Sequence, residues 1–183
     1  GHINNHKLLP IIKKHRVPVT IFLCASIINT NRHYWFKHKV PGFTTLQLKS
    51  FSNNERLSIL SKNNFDQEDE YELRQSLNKN EVNEMIPFIN MQSHTLYHPI
   101  LPKCSPGVAK DEIENSKQFL ENNFDISINT ISYPNGDYSL RDIELSKNAN
   151  DFYDDYAHHP TEIKVVLDGV KKVYKGYEKV CVF

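Results

Sequence analysis

Cysteine is scarce in this 183-residue chain: Cys24, Cys104 and Cys181 are odd in number, far apart and in no metal-type spacing. A disulfide framework is therefore not expected. Long apolar runs are also missing, and none approaches the roughly 20 residues that a membrane-spanning helix needs. Acidic residues are absent from the whole stretch before Glu55. Fibrous, disulfide-scaffold and membrane-spanning classes are excluded. What is present, 39% hydrophobic and 24% charged residues, describes a soluble globular chain with room for one domain, or one domain and a piece of another.

The formal net charge of zero hides an asymmetry. Eight Lys or Arg precede Glu55, so the first 54 residues carry +8 and the remainder −8. One reading is a basic arm for nucleic acid. The other is that Lys13, Lys14 and Arg16 form the solvated end of a helix whose acidic neighbours lie upstream of Gly1. No interleaving of aromatic and basic residues supports the first, and no nucleic-acid partner is expected. Gly1 is not an initiator methionine and Phe183 lies in a strand-like run, so neither end reads as a natural terminus. An export signal cannot be judged from such a start.

Helix and strand signals alternate along the chain, the pattern of an α/β protein. Residues 4–15 read as a helix with Leu8, Leu9, Ile11 and Ile12 inward and Pro10 early in it or at a kink. Val19–Cys24 is a continuous apolar run that suits a parallel strand covered on both faces. The Asn- and Ser-rich region 29–80 is the least readable, with helices expected near Asn54–Leu60 and Asp69–Leu77. A further helix at Lys79–Met85 leads to a strand at Pro87–Gln92. Residues 110–123 form an amphipathic helix with Ile113, Phe119 and Leu120 on its apolar side. A strand follows at Thr130–Tyr133, then the turn Pro134–Asp137 and a helix over 140–149, opened by Ser139 with Asp142 in a capping box. The tail reads as a strand end at Asp151–Tyr156, a loop at Ala157–His159, a helix from Pro160 to Gly176 and a strand at Lys179–Phe183.

The sharpest cluster is Ser93-His94-Thr95-Leu96-Tyr97-His98-Pro99. Histidines at i and i+4 can share one face of a helical turn and reach one cation through neutral imidazoles. With nine histidines in the chain such a pair arises readily by chance. Its position is the stronger signal: it directly follows a short strand, where α/β folds place their sites.

This heptapeptide after a strand resembles the metal-binding motif of the NodB-homology polysaccharide deacetylases. The helix Leu8–His15 with Val17-Pro18-Val19-Thr20-Ile21-Phe22 resembles the family's first helix and second strand. Ile131-Ser132-Tyr133-Pro134-Asn135-Gly136-Asp137-Tyr138 is similar to its strand end with the pattern Tyr-Pro-x-Gly-x-Tyr. All three follow in family order over residues 1–150. The family's first helix is preceded by a strand ending Thr-Phe-Asp-Asp-Gly, so Gly1 corresponds to that glycine and both aspartates are missing. The resemblance implies one aspartate as general base and the other as a metal ligand beside His94 and His98, the metal being Zn²⁺ or another divalent ion. It also implies that backbone N–H near Asn135 helps hold an oxyanion. Ser132 stands where many members have Arg, and nothing after residue 150 matches the family's Leu-x-His element.

The tail Tyr153-Asp154-Asp155-Tyr156-Ala157-His158-His159-Pro160-Thr161-Glu162-Ile163 resembles the start of the C-terminal domain of the Mur ligases, the UDP-N-acetylmuramate–L-alanine ligase type above all. That resemblance covers residues 151–183. It implies Asp155 and His158 as nucleotide-side contacts to ATP and Mg²⁺, and a bacterial cytoplasm for the parent enzyme.

The expected structure is α/β: an incomplete (β/α) barrel of the polysaccharide deacetylase type over 1–150, lacking its first and last strands, then a strand–helix–strand piece. Its open sheet edges invite self-association. The expected function is metal-dependent hydrolysis of the N-acetyl amide of an amino sugar, in a chimeric fragment of cell-envelope enzymes that is inactive as written. The alternatives are a non-catalytic glycan-binding remnant and a Mur ligase-derived, ATP-contacting fragment.

Overall fold

The computed structural model describes residues 1–149 and the short strand Tyr153–Asp154. Four parallel strands, β1 (Thr20–Leu23), β2 (Asn90–Ser93), β3 (Thr130–Ile131) and β4 (Tyr153–Asp154), lie in the order β1-β2-β3-β4. Thr20 stands opposite Asn90, Ser93 opposite Ile131, and Ile131 opposite Asp154. Parallel strands need long crossovers, and these are supplied by helices. Among the described residues β1 and β4 do not pair, so the barrel is not closed. The rest of the expected tail, with Asp155 and His158, lies outside the described residues.

The helices are α1 (Leu9–His15), α2 (Thr45–Ser50), α3 (Asn53–Ser61), α4 (Lys79–Met85), α5 (Pro106–Phe124) and α6 (Leu140–Asn148). Helices α2, α3, α4 and α6 begin on capping boxes, from Thr44/Gln47, Ser52/Glu55, Asn78/Glu81 and Ser139/Asp142. Each box satisfies amide donors that a helix start leaves open. Pro10 sits in the first turn of α1, where its missing N–H costs nothing, and Ile3–Leu8 before it winds as a 3₁₀ turn. Lys13, Lys14 and His15 fill the last turn, at the negative end of the helix dipole.

One core gathers Leu9, Ile12, Ile21, Leu23, Val82, Met85, Ile113 and Leu120 between the sheet and helices α1, α4 and α5. A second, with Trp35, Val40, Leu48, Leu60, Phe65 and Ile100, lies under α2 and α3.

Several expectations need correcting. The helix at Asp69–Leu77 does not form. Its backbone bonds instead to the start of the chain: Ile3 N–H donates to Gln75 O, Leu77 N–H donates to Gly1 O, and His2 bridges antiparallel to Ser76. Strand β2 starts at Asn90 rather than Pro87, because Pro87 lacks a ladder donor and Phe88 N–H is spent on Met85 O. Helix α5 starts a turn earlier than expected, at Pro106 behind the cap Ser105. Phe119 and Ile11 lie outside the core, Ile11 being 56% exposed. Lys13 has an acidic partner within the chain, Glu84, 3.4 Å away on α4. The Val19–Cys24 run is buried at Ile21 and Leu23, while Phe22 is half-exposed at a cleft.

Adjacent isoleucines on α1 provide a test. Ile12 is 4% exposed, and Ile12→Ala is expected to cost about 2–5 kcal/mol in urea unfolding. Ile11→Ala is expected to change stability by no more than about 0.5 kcal/mol. Equal losses would show that both side chains face the core.

Candidate functional site

The C-terminal ends of β1, β2 and β3 open into a cleft of about 420 Å³, lined by Gly1, His2, Phe22, Phe36, His94, His98 and Ser132 among others. This is the end of a parallel sheet where loops converge and ligands bind. His94 and His98 meet here, their rings edge-on with centroids 4.7 Å apart.

The pair is not carried on a helical turn. Residues 94–98 form a loop in which Thr95 (φ 66°) and His98 (φ 59°) are left-handed, a conformation that a β-branched residue rarely adopts. The surroundings hold it there. Ala25 N–H donates to Thr95 O (2.9 Å) and Ser26 N–H to Leu96 O (3.2 Å), which ties the loop to the chain after β1. His98 N–H donates to Thr95 Oγ1 (3.2 Å), and Thr95 N–H to Ser93 Oγ (3.3 Å). From α5, the buried carboxylate of Glu112 accepts Leu96 N–H (2.8 Å) and Tyr97 N–H (3.0 Å) on a single oxygen. Burial pushes Glu112 up to about 7, against the backbone donors, which pull it down.

The orientation of each imidazole has a separate cause. His94 Nδ1 lies 2.7 Å from Ser132 O, so a proton on Nδ1 leaves Nε2 as the nitrogen with a lone pair. Because the bond uses the backbone carbonyl, it does not depend on whether Ser or Arg occupies position 132. His98 is held through its own carbonyl, which accepts the Trp35 indole N–H at 2.8 Å, and its ring lies 4.7 Å from that of Phe36. Below the indole, the buried Arg56 guanidinium stacks at 4.6 Å and donates to Asn53 Oδ1.

Two neutral imidazoles suit the nitrogen half of a zinc-type donor set. Among the described residues no three His, Cys, Asp or Glu side chains converge on one point. Cys24 lines the cleft, but burial pushes its thiol up to about 12 and its S–H points to His94 O. Asn135 takes a left-handed conformation (φ 61°) in the turn after β3. Ser132, not Asn135, forms the cleft wall there.

The family model for polysaccharide deacetylases matches residues 3–150. The chain belongs to the polysaccharide deacetylase family. Its fold is similar to that of the Streptococcus pyogenes deacetylase PplD in complex with acetate, with a TM-score of 0.55 at 18% identity, covering 81% of this chain and 49% of that one. A mutant of BA3943 from Bacillus anthracis, a CE4 family pseudoenzyme with restored enzymatic activity, aligns with a TM-score of 0.52 at 13% identity, over 98% of this chain and 52% of that one. The chain thus spans about half the length of these structures. Separately, 32 residues are 66% identical to UDP-N-acetylmuramate–L-alanine ligase of Pelagibacter ubique, which is 18% of this chain and 7% of the ligase. Both family resemblances read from the sequence are therefore present, the second as a short segment.

In this polysaccharide deacetylase family member the sequence reading passed over Ser132 as a carbonyl and Tyr34 and Phe36 on the cleft wall, and over Glu112 and Trp35, which hold the histidine loop from behind. Only the aromatic triplet carried a visible signal, three consecutive rings in a polar stretch.

Glu112 generates a prediction. Its proton is held up to about pH 7 in the native state but released near 4.5 when unfolded. The native state binds the extra proton between those values, so this group's stabilisation is full below 4.5 and lost as pH rises through about 7. Glu112→Gln is expected to flatten that part of the stability profile. Glu112→Ala is expected to destabilise by about 1–3 kcal/mol for each amide left unsatisfied. A Gln variant with the parent's pH slope, in urea titrations from pH 4 to 8, would assign the slope to another group.

Proposed function

We propose that the cleft belongs to a metal-dependent carbohydrate deacetylase that hydrolyses the N-acetyl amide of an amino sugar, with His94 and His98 as two protein ligands. The observation that carries this reading is the pairing of the two imidazoles at the open end of a parallel sheet, with the His94 tautomer set by Ser132 O. The chemistry that Zn²⁺ or another divalent ion supplies at such a site, when bound, is polarisation of the amide carbonyl and a lowered pKa for water. The chain's own part is to fix two nitrogen donors and to wall the acetamide with Phe22, Phe36 and Ser132. Backbone N–H near Asn135 is proposed as an oxyanion contact.

Among the described residues the lining includes no carboxylate, so these side chains alone offer neither a third anionic ligand nor a base. We read the chain as given as a weak metal binder and a poor hydrolase. The short segment 66% identical to a Mur ligase favours a second reading for the tail, in which Asp155 and His158 contact ATP. Two unrelated parents in one chain also favour a chimeric origin.

Zinc titration followed by calorimetry tests the ligands. His94→Ala and His98→Ala are each expected to abolish binding while keeping the parent melting temperature within a few degrees; unchanged zinc affinity would remove the assignment. A chain extended ahead of Gly1 by Thr-Phe-Asp-Asp is expected to release acetate from N-acetylglucosamine oligomers about 10²-fold faster, the contribution of a positioned base. No gain in a zinc-loaded extended chain would overturn the deacetylase reading.

A further inference from the structure

The cleft does not end at the histidines. A second hollow of about 430 Å³, lined by His38, Lys39 and Phe43 among others, shares Phe36 and Lys37 with it. The two form one trough that leaves the His94–His98 pair past the Phe36 ring, which lies 4.7 Å from His98. The charge along this trough has one sign. Lys37 and Lys39 are exposed on its floor and rim, and among the described residues that line either hollow there is no Asp or Glu. Lys37 Nζ lies 2.8 Å from His2 Nε2, an imidazole that burial and then the Lys37 charge hold below its ordinary pKa. The partner of this ammonium is thus an imidazole and not a carboxylate. His38 is fixed by Asn63 O at 2.8 Å, which sets the wall beside Lys39.

This local excess continues the +8 charge of the first 54 residues. Two other cations of the same region are paired with carboxylates, Lys13 with Glu84 and Arg32 with Glu68 and Glu70. None of those carboxylates lines either hollow, and Lys37 and Lys39 are the Lys and Arg residues that do. A cleft lined by one sign of charge concentrates ligands of the opposite sign. Aromatic faces at Phe36 and Phe43 suit the C–H face of a sugar ring, positive edge against negative face. Lysine acts as a hydrated point charge and accepts carboxylate or phosphate without a fixed fork geometry.

We propose that the substrate is an acidic glycan: the N-acetyl sugar sits at the histidines and a neighbouring sugar bearing an anion, carboxylate or phosphate, lies along Phe36 with its charge on Lys37 and Lys39. The proposal rests on the reading of the cleft as an amino-sugar deacetylase site, and it adds a specificity subsite to that reading.

The test is binding of the full chain to four glycans at low salt. They are an N-acetylglucosamine pentamer, an oligomer alternating N-acetylglucosamine with glucuronic acid, an N-acetylglucosamine oligomer carrying a phosphate, and polygalacturonate, which has charge but no acetamide. At least one of the acidic N-acetylated ligands is expected to bind about tenfold or more tightly than the neutral pentamer, and which one assigns the anion. That ratio is expected to fall below about threefold in Lys37→Met/Lys39→Met, and likewise for the unmodified chain in 0.5 M salt, where charges are screened beyond about 4 Å. Equal binding of acidic and neutral ligands would overturn the subsite and leave the deacetylase reading intact. Polygalacturonate binding as tightly as the acidic N-acetylated ligands would overturn it too, because the trough would then read charge alone. Binding of none of the four would remove both.

Discussion

The loop that carries the two histidines depends on a carboxylate that never touches them. Glu112 is 6% exposed in α5, and one of its oxygens gathers the amides of Leu96 and Tyr97. Without that acceptor two part-buried N–H groups would lack this partner in a segment already bent through left-handed conformations at Thr95 and His98. The long helix is thus more than a cover for the sheet. It begins at a cap and proline, buries Ile113 and Leu120, and so brings Glu112 and Ser116 under the site as struts. Packing and site geometry are one construction here.

A second support comes from the region between β1 and α4. Trp35 reaches the carbonyl of His98, and the cation beneath its indole is Arg56, 1% exposed and stacked against the ring. Desolvation lowers the pKa of that guanidinium. Burying it is costly in general, and the ring face and Asn53 offset part of the cost. The same region supplies the positive trough. One region therefore both steadies the histidine loop and places Lys37 and Lys39 along the trough.

Membership in the polysaccharide deacetylase family and a short segment 66% identical to a Mur ligase coexist in one chain. The two parts make different demands. A barrel site needs carboxylates and histidines converging from several strands, whereas the histidine pair here converges with a backbone carbonyl and aromatic rings. The fold is similar to that of a deacetylase and of a CE4 pseudoenzyme mutant, and a shared fold does not by itself carry an activity.

Local signals determined much of this molecule from the sequence alone. The capping box at Ser139/Asp142, the apolar run of β1 and the stripe of α5 act over a few residues, so α6, β1 and most of α5 were legible, as was α4. His94 and His98 were legible as a pair, standing four positions apart in one motif. Tertiary structure alone decided the rest. Asp69–Leu77 surrendered its helix because its backbone found partners at Gly1 and Ile3, more than seventy residues away. The histidine loop took a left-handed shape instead of a helical turn because Glu112, Ala25 and Ser26 supply its hydrogen bonds from other elements. Ser132 and Trp35 joined the site through backbone carbonyl groups, one as the acceptor itself and one as the donor to it. Side-chain patterns record burial and short-range capping, but a carbonyl belongs to every residue, and only the folded chain determines which one meets a histidine.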